Sequence, residues 1–148
     1  MSNPIDLSFD KKVELVTAAN RLPKGEGLTF IKFVEIQLNQ IMQRTGNKLT
    51  NKVRAEGLIQ ETVATFVDRI NEGRYLFTYE QPVVVQCHGA GGSKELYELV
   101  CGEHRLQAHY LTARDTIFVA VVEFETREDQ MVYQSNENDN DDEYVKAP

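Results

Sequence analysis

Apolar positions along this chain switch between two spacings, and each switch marks a predicted element. Ile59, Val63, Phe66, Val67 and Ile70 recur at helical spacing within "GLIQETVATFVDRINEG". Such a stripe covers one face of an amphipathic helix, so a helix is predicted over 57–73, with Gly73 as its C-terminal stop. Val13 and Val16 predict a shorter helix near the N-terminus, opened by Asp10 as N-cap. "TFIKFVEIQL" (29–38) is rich in β-branched and aromatic residues and reads as a strand. "NQIMQRTGNKLTNK" (39–52) reads as turn and loop, punctuated by Gly46-Asn47. "RYLFTYEQPVVVQC" (74–87) is apolar and extended, with strand pairing expected only from Pro82 onward. "HGAGGS" (88–93) is a glycine-rich connection, best taken as a flexible hairpin turn. It lacks the Gly-Lys-Ser/Thr ending of a phosphate-binding P-loop. "KELYELVC" (94–101) alternates, a helix follows from Glu103 to about Ala113, and "TIFVAVVEF" (116–124) is a nearly all-apolar strand. The order β-α-β-β-α-β, with a tail, predicts an α+β fold: a small mixed β-sheet flanked by helices.

Charge sharpens this picture at one end. The net charge is −7, and residues 123–148 carry all of it, with nine acidic and two basic side chains. The remainder is neutral overall, so it is not a generally basic nucleic-acid binder, and any DNA contact needs a local patch. The basic residues Lys48, Lys52, Arg54, Arg69 and Arg74 flank the 57–73 helix and are the candidates for touching a DNA backbone. Two cysteines make a disulfide framework unexpected. No apolar run is long enough to span a membrane, and "MSNPIDLSFDKK" has no signal-peptide core, so a cytoplasmic protein without membrane partners is expected. Cys87, His88, Cys101, His104 and His109 do not follow a paired zinc-ligand spacing.

The chemically suggestive stretch is "VCGEHRLQAHY" (100–110), where a strand passes into a helix through Gly102. The first N–H groups of a helix lack intrahelical acceptors, and the helix dipole adds partial positive charge. Such a turn is suited to phosphate, and Arg105 in the first turn would add a charged fork. Leu106, Tyr110 and Ala113 would pin the helix to the sheet. The same turn can equally be a plain tight connection with Arg105 in solvent.

The neighbouring motifs bear on that choice. Gly102-Glu103-His104-Arg105-Leu106-Gln107-Ala108 resembles the Gly-x-Arg-Arg-x-x-Ala motif of the ParB N-terminal domain, in the ParB/sulfiredoxin superfamily. "FVEIQLNQI", "GLIQETVATFVDRINEG" and "QPVVVQ" resemble that family's first strand, first helix and following strand, and "QSNENDND" resembles its Glu-Asn motif at Glu137 and Asn138. The resemblance covers about 31–142 and implies a ParB/sulfiredoxin-like domain over 31–135, after an N-terminal extension (1–30) and before an acidic C-terminal tail (136–148). It implies nucleotide phosphates held by Gly102, Glu103, His104, Arg105, Glu137 and Asn138. It also implies Mg²⁺ with a nucleoside triphosphate, CTP or ATP, the metal resting on Glu103 and Glu137. Members include CTP-binding DNA clamps, phosphotransferases and ParB-like nucleases, many encoded by phages and plasmids. His104 and Asp141 depart from the ParB pattern, and Glu103 stands where sulfiredoxins carry their cysteine. A helix-turn-helix module would follow this domain in ParB and is not expected here.

Three functions follow. One is nucleotide binding in concert with DNA. Another is an inactive adaptor, its acidic tail docking on a protein partner. The third is a nuclease or small-molecule phosphotransferase with Glu103 or His104 as catalytic base.

Overall fold

The computed structural model describes residues 8–45, 48–50, 60–71, 82–91, 94–112 and 115–146. The elements in chain order are α1 (Phe9–Ala18), β1 (Leu28–Gln37), a 3-10 turn (Leu38–Gln40), β2 (Ile41–Thr45), β3 (Lys48–Thr50), α2 (Gln60–Asn71), β4 (Val83–Gly91), β5 (Lys94–Cys101), α3 (Glu103–Leu111), β6 (Thr116–Phe124) and α4 (Arg127–Lys146). The strands form one sheet in the order β1-β6-β4-β5-β2-β3. It is mixed: β4 runs parallel to β6, and β2 parallel to β5, while β1–β6 and β4–β5 are antiparallel. The α+β architecture expected from the sequence is the one observed.

Two faces of the sheet are buried by different means. Ile36, Val83, Val85, Leu99, Val119 and Val121 gather in one cluster, joined by Leu106 of α3. A second cluster joins α1, α2 and α3 to the sheet through Val16, Val63, Phe66, Ile70, Ala108 and Phe118. The predicted stripe of α2 is therefore its packing face. A third cluster places Tyr133 of α4 against Val84, Val100 and Val122. Val83–Val85 of β4, Tyr97–Cys101 of β5 and Ile117–Val122 of β6 are buried at successive positions, so these stretches are covered on both faces. Tyr97 through Cys101 are all buried, so the alternation expected of β5 does not correspond to one wet face.

Four local expectations are corrected. The N-cap of α1 is Ser8, whose Oγ accepts from Lys11 N at 3.2 Å, and Asp10 sits inside the first turn. The stretch read as turn and loop forms β2 and β3, because Ile41 and Met42 pair with Tyr97 and Glu98 of β5. The glycine-rich connection is strand as far as Gly91, which pairs with Lys94 to close the β4–β5 hairpin. The tail is helical, α4 continuing to Lys146. Strand pairing at Pro82 does begin as expected, at Val83.

The start of α4 is fixed by the turn before β1. Gly27 has φ +72°, and a Cβ there would land on the Asp129 carboxylate. Glu125 N donates to Gly27 O at 2.8 Å, and Thr126 Oγ1 caps the helix by accepting from Asp129 N at 3.0 Å.

Candidate functional site

The strand-to-helix seam is a tight turn with a steric reason for its glycine. Gly102 has φ +104°, which L side chains rarely adopt. A Cβ there would also meet Val83 Cγ2 at 3.1 Å and Val83 Cα at 3.3 Å. The turn is thus pressed against the first residue of β4, the valine that follows Pro82 in "QPVVVQ". Gly102 O accepts from Leu106 N at 2.8 Å, opening α3. Gly102 supplies no side chain to cap the first turn, so the end of α3 has the donor geometry and dipole that favour an anion.

Arg105 belongs to this turn. It is 0% exposed, and its guanidinium carbon lies 3.5 Å from where a Gly102 Cβ would be. The guanidinium is therefore folded back along the turn and held out of bulk water. A fully buried cation persists only where acceptors compensate for lost hydration. The solvated-charge reading of Arg105 is excluded.

The rest of α3 departs from the expected stripe. Leu106 is buried, but Tyr110 is 37% exposed, and Ala113 lies outside the described residues. The buried positions are Arg105, Leu106, Ala108 and His109. His109 Nδ1 lies 2.7 Å from Arg105 O. A carbonyl only accepts, so in a hydrogen bond at this contact Nδ1–H is the donor. Glu103 and His104 are half-buried on the first turn of α3.

Glu137 and Asn138 lie on the backbone of α4, a turn beyond Gln134, whose Nε2 donates to Val100 O at 3.0 Å. Their side chains are outside the described residues, as are those of Lys48, on β3, and all of Lys52, Arg54 and Arg74. Arg69 faces inward from the last turn of α2 and is only 8% exposed. It presents no open cation to a DNA backbone, because α2 packs that side on the core.

Sequence reasoning passed over a polar cluster beneath α4. Glu98, in the middle of β5, is 2% exposed. Its Oε2 accepts from Gln130 Nε2 at 3.0 Å and pairs with Arg127 Nη1 at 3.4 Å. Gln130 Oε1 in turn accepts from Gln86 Nε2 of β4 at 2.9 Å. A carboxylate inside "YELVC" was the available signal, since a charge in an apolar strand demands a partner. Nothing local marked Gln130 as that partner. At the beginning of β5, Tyr97 OH donates to Glu95 Oε2 at 2.6 Å. Burial first, then this neighbouring carboxylate, pushes the phenol up to about 12.

Residues 24–138 match the family model of the ParB N-terminal domain, and the chain belongs to that family. No curated protein matches the chain. Among solved structures, it is similar to the C-terminally truncated chromosome-partitioning protein ParB from Caulobacter crescentus complexed with CTP-gamma-S. The identity is 17% and the TM-score 0.53, over 73% of this chain and 53% of that one. This chain thus spans about half the length of that ParB, and the likeness is one of fold. Among the described residues, no helix is long and apolar enough to cross a membrane.

Proposed function

We propose that this chain binds a nucleoside triphosphate, CTP or ATP, at the Gly102–Arg105 turn and works together with DNA. The observation that carries the reading is Arg105, fully buried and folded against a glycine turn too tight for a Cβ at the start of α3. Phosphate oxygens would meet the first N–H groups of α3 and the guanidinium. Glu103, His104, Glu137 and Asn138 would complete the cradle. Glu103 and Glu137 offer the hard oxygen donors that suit Mg²⁺, which would neutralise phosphate charge when bound. The solved ParB with CTP-gamma-S supports the choice of ligand class. DNA contact would fall to Lys48, Lys52, Arg54 and Arg74.

Titration calorimetry with Mg²⁺ and each NTP tests the reading. Wild-type protein is expected to bind CTP or ATP. Arg105→Ala is expected to weaken binding by about 10- to 100-fold, the loss of a charge-assisted hydrogen-bonding group. No heat with any NTP would sink the proposal.

The second reading, a protein-binding adaptor, is favoured by α4. Met131 and Val132 are more than half exposed on it, and an acidic run follows. An adaptor would bind no NTP and would lose a basic protein partner on deletion of 139–148. Should turnover accompany binding, Glu103 or His104 would serve as base. Full activity in the Glu103→Ala, His104→Ala double variant would remove both from that role.

A further inference from the structure

The contacts between α4 and β5 advance in step. Gln130 reaches Glu98, and Gln134 reaches Val100. Four helical residues rise about 6 Å, and two strand residues about 6.6 Å. Helix and strand therefore run in the same direction at matched pitch. Continued by one step, the same register would set the α4 backbone at Asn138 level with Gly102. The docking that sets this register is unusually polar. Tyr133 supplies an apolar anchor, while Glu98, Gln86, Gln130, Gln134 and Arg127 supply directional bonds. An apolar contact tolerates sliding, but a buried carboxylate held by an amide and a guanidinium does not, because a shifted helix would leave that charge uncompensated.

We propose that Glu98 is a positioning residue: through Gln130 and Arg127 it fixes α4 along β5 and so sets where Glu137 and Asn138 stand relative to the Gly102–Arg105 turn. This rests on the nucleotide reading above. The turn itself is built by β5 and α3, so Glu98 governs the half of the site that α4 brings. That half contains Glu137, the proposed Mg²⁺ donor.

Glu98→Gln tests this without a large change of shape. Two measurements are made on the full chain. Amide exchange without ligand is expected to quicken across 127–134 and to stay slow in β4 and β6. NTP affinity is expected to fall about tenfold with Mg²⁺ and to change less than twofold without it. The swapped pair, Glu98→Gln with Gln130→Glu, restores a carboxylate–amide bond and is expected to recover most of the Mg²⁺-dependent affinity. If wild-type protein binds no NTP, the nucleotide reading fails and this role fails with it. If wild-type binds and Glu98→Gln binds equally well with Mg²⁺, only the positioning role falls. Equal losses with and without Mg²⁺, or no recovery in the swapped pair, would mark Glu98 as merely structural and overturn the proposal. Should Glu98→Gln fail to fold, Gln130→Leu carries the same expectations from the α4 side.

Discussion

α3 and α4 both carry residues of the proposed site, yet they are attached in opposite ways. α3 is covalently continuous with β5 through Gly102, and it sinks Arg105, Leu106, Ala108 and His109 into the protein. α4 lies over β5 on one aromatic ring and a row of hydrogen-bonding side chains, with Met131 and Val132 left outside. Apolar burial resists displacement in proportion to area, whereas hydrogen bonds exchange with water at modest net cost. The difference separates a helix fixed by apolar burial from one specified by register and released more easily, and the proposed site draws on both.

The largest effect that can break this contrast lies behind α3. Phe66 is 0% exposed and packs in the cluster that contains Ala108 and Phe118. Phe66→Ala is expected to cost about 3–5 kcal/mol of global stability by urea unfolding. Tyr133→Ala, on α4, is expected to cost clearly less globally and to show fast amide exchange across α4 instead. Equal global losses, with no local release of α4, would erase the distinction.

A smaller effect is expected at the seam. Gly102→Ala places a Cβ at positive φ against the Val83 backbone. A cost of about 2 kcal/mol is expected, along with loss of NTP binding. Unchanged urea midpoint and affinity would show that the turn relaxes, and α3 would then be no more fixed than α4.

The smallest effect sharpens the picture at the far end of β5. The Tyr97 phenol is raised from 10 to about 12 in the folded protein. Between those values the folded state holds a proton that the unfolded chain has released. Stability is therefore intact below pH 10 and declines as pH rises towards 12. Urea midpoints at pH 9 and pH 11 are expected to differ less in Tyr97→Phe than in wild type. An identical decline in both would assign the alkaline loss to other groups.

What could be read from the chain depended on whether an element announces its own burial. α2 and β6 did, since their apolar side chains follow helical spacing and an unbroken strand run. β2 did not. "IMQRT" has little apolar content, and it becomes a strand because β5 offers Ile41 and Met42 a parallel partner distant in sequence. α4 was concealed for a related reason: its sheet-facing positions include Arg127, Gln130 and Gln134, which resemble solvent residues until Glu98 is found beneath them.

The family, the order of the principal strands and helices, and the glycine turn with its arginine were legible in the chain alone, because motif order and local periodicity need no tertiary contact. The packing of distant segments settles that Arg105 is buried rather than solvated, that Arg69 turns inward, and that the acidic stretch continues a helix whose Gln130 and Gln134 are in register with β5. Each of those depends on which distant surface meets the residue. Burial and hydrogen-bond partnership are settled between segments, and a linear pattern records only one side of each pair.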